Sequence, residues 1–179
     1  MGLSPDTSSP VSAFARMRKC ITALSAVIAS ITWAGPDAGV RAPQPPSCTG
    51  PEFRQFDFWL GTWDVTNPAG KPVGTNVITS ELKGCVLHEH WSGMGGNHGE
   101  SFNLYDATTK KWHQTWVDDS GSLLLLDGAL TGGAMILSNP TNRITYQVLP
   151  DRRVRQLWET TADGGKTWSV SFDGQYTKR

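Results

Sequence analysis

From Phe53 onward, apolar and polar positions alternate in short stretches broken by turn residues. The stretches cover residues 58–66, 73–82, 85–92, 101–106, 112–118, 122–129, 134–138, 143–149, 153–160 and 167–176. Alternation with a period of two is the signature of a strand with one face buried. Ten such strands, about ten residues apart, predict an all-β protein, a sandwich or an up-and-down barrel. A short helical turn is expected over 51–57, ahead of the first strand. No amphipathic helix of useful length interrupts the series, which excludes α/β folds.

The turns carry their own chemistry. Asn67-Pro68-Ala69-Gly70 and Asp119-Ser120-Gly121 read as tight connections between strands. Residues 161–168, Thr-Ala-Asp-Gly-Gly-Lys-Thr-Trp, match the Asp-box pattern. In that pattern the carboxylate, here of Asp163, holds backbone N–H groups of a hairpin turn and the Trp packs beneath it. A single copy is a turn, and the chain is too short for a propeller. Residues 93–99 form a glycine-rich loop between strands. Without a following helix N-terminus this loop lacks the phosphate-cradling mechanism and reads as a mobile segment at a barrel mouth.

The side of each strand that carries the large aromatic residues is taken as the interior. This places Trp59, Gly61, Trp63 and Val65 inward on the first strand, and Cys85, Leu87, Glu89 and Trp91 on the third. Trp112, Gln114, Trp116 and Asp118 follow, then Val154, Gln156 and Trp158, then Trp168, Val170, Phe172 and Tyr176. Three strands repeat one arrangement, a polar side chain two residues before a tryptophan: Glu89-x-Trp91, Gln114-x-Trp116 and Gln156-x-Trp158. Buried polar groups of this kind need partners. They either surround a pocket and meet a ligand or ordered water, or bond one another as a structural network. A barrel of ten strands is wide enough to favour a cavity. The expected ligand-facing set is Trp63, Glu89, Trp91, Asn103, Gln114, Trp116, Gln156 and Trp158.

The N-terminus departs from this pattern. Arg16, Arg18 and Lys19 precede an apolar stretch over 21–31, too short to span a bilayer. Thr32-Trp33-Ala34 then supplies small residues at the −3 and −1 positions of a cleavage site. That is the plan of a secretory signal peptide over residues 1–34, with Met17 as an alternative start. Pro45-Pro46-Ser47 ahead of Cys48 is not a lipidation signal, and residues 35–50 read as a flexible leader. The expected location is therefore periplasmic or secreted.

Composition narrows the function classes. Of 179 residues, 16 are basic and 16 acidic; residues 1–34 hold three basic and one acidic, so removing them leaves 13 and 15. With no basic stripe, nucleic acid is a poor partner, and no apolar run beyond residue 34 is long enough for a transmembrane helix. Eight Trp residues supply much flat surface, each with an N–H that needs an acceptor. Of three Cys, Cys20 leaves with the signal peptide. Cys48 and Cys85 remain, and an even count in an exported protein points to a disulfide. It would close a loop of about 37 residues and contribute roughly 3–4 kcal/mol on the chain-entropy model.

No nucleophile or cofactor motif is present. His88 and His90 share one strand face, opposite the aromatic set, with no third metal ligand visible in the sequence; His98 and His113 lie elsewhere. No metal and no cofactor are expected. Glu89 is the candidate for acid–base chemistry, through desolvation.

The segments 56–65 (FDFWLGTWDV), 84–91 (GCVLHEHW) and 112–118 (WHQTWVD) resemble a bacterial family of exported, lipocalin-like, calycin-type β-barrel proteins of unknown function. The resemblance covers about Pro51 to the C-terminus. Gly61-Thr62-Trp63 is also similar to the opening Gly-x-Trp of lipocalins and fatty-acid-binding barrels, whose Trp plugs the closed end. It implies the barrel fold, and by analogy the binding of a small hydrophobic or amphipathic molecule. Haem-binding relatives use a His near the C-terminus, and this chain has none after His113. Three readings follow: a binding module, a cofactor-free enzyme using Glu89, or a structural envelope protein with a filled core.

Overall fold

The computed structural model describes residues 48–179. The expected signal peptide over 1–34 and most of the expected leader over 35–50 lie outside them. Ten antiparallel strands follow one another: β1 (Gly61–Thr66), β2 (Pro72–Glu81), β3 (Val86–Gly93), β4 (His98–Asp106), β5 (Lys111–Asp118), β6 (Leu123–Thr131), β7 (Ala134–Ser138), β8 (Asn142–Val148), β9 (Val154–Thr160) and β10 (Ser169–Lys178). Each pairs with its sequence neighbour, and β1 also pairs with β10, so the sheet closes into an up-and-down barrel. In that last pairing Trp63 faces Lys178 and Val65 faces Tyr176. Closure removes the exposed sheet edges that an open sheet would present. Among the described residues no helix is long and apolar enough to cross a membrane.

Short side-chain acceptors shape the connections. Asn67 Oδ1 accepts from the backbone N–H of Ala69 and Lys71. Asp106, Asp118, Asn139 and Asp151 each accept a backbone N–H two residues on. Asp163 Oδ1 takes the N–H groups of Lys166 and Thr167, both at 2.9 Å, as the Asp-box pattern predicts, and Trp168 donates its indole N–H to Gly165 O. These acceptors offer the backbone a partner at the point where the ladder stops.

One end of the barrel is plugged. Residues Pro51–Arg54 and Asp57–Trp59 form two 3-10 turns beneath it. Phe58 and Trp59 therefore precede the strand instead of opening it, because Trp59 and Leu60 turn back to donate to the carbonyls of Phe56 and Asp57. Phe56 and Trp59 are fully buried, with ring centroids 5.0 Å apart and nearly parallel planes. Phe56 also meets Trp112 and Tyr146 edge-on. Trp63 donates to Trp59 O at 2.9 Å, and Trp112 to Gln55 Oε1 at 3.1 Å. Cys48 and Cys85 form a disulfide, with Cα atoms 5.1 Å apart, tying the start of this plug to the β2–β3 connection. The Arg54 guanidinium sits between them, donating to the carbonyls of Cys48 and Gly84.

Two further strands differ from the sequence pattern in a way that matters here. β4 starts at His98, not at residue 101, because His98 and Asp119 pair across the top of the β4–β5 ladder. The glycine-rich connection shrinks to residues 94–97. In β10 the register shifts between Val170 and Phe172. One extra residue inverts the alternation. Phe172 and Tyr176 stay inside, but Val170 faces out, 62% exposed, and Trp168 lies outside with the Arg143 guanidinium 4.4 Å from its ring centroid.

Candidate functional site

The opposite end is hollow. A cavity of about 350 Å³ opens there, within the span of known small-molecule sites. Its walls are aromatic: Trp91, Trp116, Trp158 and Phe172. The strand pattern explains how such large rings fit. Trp91 lies over Gly74, Trp116 over Gly99 and Phe172 over Gly174, each so close that a Cβ on the glycine would sit 2.2–2.5 Å from the ring. Trp91 and Phe172 also meet edge-on, with centroids 5.7 Å apart. At the mouth, Trp116 donates its N–H to Asp118 Oδ2 at 3.2 Å, and Trp158 donates to Asn142 Oδ1 at 2.8 Å.

A ring of polar side chains from seven strands lies at the base of the cavity, and four of them, Glu89, Gln114, Gln156 and Tyr176, line it. Asn76 Nδ2 donates to Glu89 Oε1 at 2.7 Å, and Ser101 Oγ donates to Glu89 Oε2 at 2.5 Å. Gln114 Nε2 reaches Ser101 Oγ at 3.3 Å and Tyr146 Oη at 3.0 Å. Gln156 Nε2 donates to Tyr146 Oη at 3.3 Å, and Tyr176 Oη donates to Gln156 Oε1. Asn76 Nδ2 reaches Tyr176 Oη at 3.4 Å, which closes the circle. Glu89, Gln114 and Gln156 thus bond into one network and still line the cavity. The two arrangements that the sequence left as alternatives coexist.

Glu89 is the chemically distinctive member. It is buried, and desolvation raises its carboxyl to about 7, against the opposing effect of the Ser101 and Asn76 donors. Burial, and then the nearby Glu89 charge, hold the Tyr146 and Tyr176 hydroxyls well above the ordinary tyrosine value, so both remain protonated. Asp118 behaves oppositely. The Ser120 hydroxyl and the N–H groups of Ser122, Trp116 and Ser120 hold its carboxyl well below the usual range. At neutral pH the Asp118 carboxylate at the mouth is charged, whereas burial favours the protonated form of Glu89 on the floor.

Of the expected ligand-facing residues, Glu89, Trp91, Gln114, Trp116, Gln156 and Trp158 come together around this cavity. Trp63 and Asn103 do not line it. Trp63 packs into the core beside the plug. Asn103 lies buried beneath Ser101, donating to its Oγ at 2.8 Å. Sequence reading missed Asn76, Ser101 and Tyr146. Each is signalled by a polar group in an inward set, as in Gly74-x-Asn76-x-Ile78, but such a position says nothing of its partner. The carbonyl oxygens of Asn76 and Asn103 are buried and have no hydrogen-bond partner among the described residues.

A separate cluster lies on the outer face. Glu100 on β4 stands beside both β3 histidines, 3.1 Å from His88 Nε2 and 3.4 Å from His90 Nδ1. The three offer ligand atoms within 4.8 Å of one another, so a third donor exists that the sequence did not reveal. The His88 hydrogen bond holds the Glu100 carboxyl below its ordinary value.

No family model matches the chain, and no curated protein matches its sequence.

Proposed function

We propose that the protein is an exported binding barrel that holds a small, partly apolar molecule in the cavity at its open end. The observation that carries this reading is the contrast inside one barrel, an aromatic-walled hollow above a hydrogen-bonded polar floor. Flat rings supply apolar contact, and the floor orients a polar group of the guest. Membership of the lipocalin-like exported barrels belongs to the same proposal and rests on the Trp-rich segments. Export rests on the N-terminal pattern, and the Cys48–Cys85 disulfide is consistent with an oxidising compartment.

The test is a panel of fatty acids, retinoids, flavonoids, haem and aryl amines, read by tryptophan fluorescence and melting temperature. A saturable response from at least one member supports the proposal. No response to any of them sinks it. Export is checked by sequencing the N-terminus of protein recovered from the periplasm or medium, which should begin after Ala34. One observation favours a second reading, catalysis by Glu89: its carboxyl lines the cavity with its pKa raised to about 7, in the range of a general acid or base. Turnover of a bound ligand that vanishes in Glu89→Gln would select it.

A further inference from the structure

We infer that the guest of this cavity is an organic cation, an ammonium or protonated nitrogen base carried on a flat apolar body. The inference rests on the binding reading and narrows it to one charge class.

The charge balance of the lining comes first. Glu89 and Asp118 both line the cavity, and no Lys, Arg or His among the described residues does. The aromatic walls act in the same direction, because the face of a tryptophan ring is negative and attracts cations, more strongly when water is excluded.

Donor accounting gives an independent argument. An anionic or purely accepting guest needs N–H or O–H groups to greet it; those of the floor are engaged, and the lining leaves only the Trp91 indole N–H and the Asn97 side-chain amide to offer. Tyr176 donates to Gln156, and the amides of Gln114 and Gln156 donate to Tyr146. Ser101 donates to Glu89 itself. At the rim the indole N–H groups of Trp116 and Trp158 are held by Asp118 and Asn142. A fatty-acid carboxylate entering here would lose its hydration and meet carboxylates. A cation meets an acceptor whose burial already penalises its charge, so pairing relieves that penalty.

The floor also makes binding pH-dependent. The titratable groups around Glu89 are the Tyr146 and Tyr176 hydroxyls from β8 and β10, which stay neutral, Asp118 at the mouth, and His90 on the outer face of its own strand. Below about pH 7 Glu89 takes up a proton and its attraction for a cation falls. Affinity for an ammonium should therefore rise as pH increases through that value, with release of a proton on binding.

The experiment compares three probes of matched shape, naphthylmethylamine, naphthylmethanol and naphthoate, by titration calorimetry on the mature protein. The amine should bind on the order of tenfold more tightly than the alcohol, as expected of one charge-assisted contact. Naphthoate should bind most weakly. Glu89→Gln should erase the amine's advantage over the alcohol, with the variant's own cooperative thermal melt reporting that it is folded. In the unmodified protein the amine's affinity should climb between about pH 6 and about pH 8 while the alcohol's stays flat. Equal binding of amine and alcohol, tighter binding of naphthoate, or an amine preference that survives in Glu89→Gln overturns the cation inference and leaves the binding reading standing. If none of the three binds, the cation inference falls, and the broader ligand panel alone decides the binding reading.

Discussion

At the plugged end of the barrel Phe56, Trp59, Trp63 and Trp112 pack against one another and against Tyr146 and Tyr176. At the open end Trp91, Trp116, Trp158 and Phe172 stand around a void. The same kind of side chain closes one end and keeps the other open. The difference lies in what covers the rings. Below, the 3-10 segment inserts two further aromatic rings and is clamped by a disulfide. Above, three of the four rings, Trp91, Trp116 and Phe172, lie against glycines of the neighbouring strands or their own, and all four border the open cavity. Rings packed on all sides contribute stability, whereas rings exposed on one side keep apolar area in reserve for a guest.

Substitutions at the two ends should therefore separate stability from binding. The largest loss is expected from Phe56→Ala, about 3–5 kcal/mol for removing a fully buried ring, measured by urea unfolding. Where enough of that variant still folds, its affinity for a cavity ligand should match the parent protein. A matched loss of affinity would show that the two ends are coupled. Cys85→Ser should lower stability by about 2–4 kcal/mol, with the effect abolished when the parent protein is measured under reducing conditions. A change well below that would mean the plug holds without its clamp.

Glu89 places a third prediction between the two ends. Its folded pKa of about 7 lies above its ordinary value of 4.5. Between those two values the folded protein keeps a proton that the unfolded chain has released. Stability from this group is thus fully present below about pH 4.5, falls as pH rises toward about 7, and levels off above it. The loss is about 3 kcal/mol in size. Glu89→Gln should flatten that part of the stability–pH curve; an unchanged curve would show that the carboxyl is not desolvated. The smallest effect is expected from Gly99→Ala. The new Cβ would lie 2.2 Å from the Trp116 ring, so the indole must move. Stability should drop by about 1–3 kcal/mol, as overpacking does. Ligand affinity should change more sharply than in any plug variant, read by fluorescence titration.

Much of this was legible in the residues. The strand count follows from alternation, and the turns from Asn, Asp and Gly at the breaks. The tryptophans at 91, 116 and 158, each two residues after an inward polar group, marked three of the cavity walls and three members of its floor. The bulge in β10 was not legible, since Val170 and Phe172 look alike in a strict alternation. The helical turn over 51–57 was expected, but its continuation through Trp59 was hidden, because Phe58 and Trp59 run directly into a strand of the same composition. Nor did the spacing reveal Glu100 as the neighbour of His88 and His90, since that contact depends on the β3–β4 register.

By itself the sequence determined what short-range sterics and local hydrogen bonding control: the period-two faces, the side-chain acceptors that end each ladder, and two cysteines available to pair. Only the tertiary structure decided which end is open, which donors are engaged, and how strongly Glu89 resists ionisation. Asn76 and Tyr176 are 100 residues apart and meet because β1 closes the sheet between β2 and β10. A carboxyl's pKa depends on the water excluded around it and on the donors that face it. Both follow from closure of the whole barrel, a property that no local window of the chain contains.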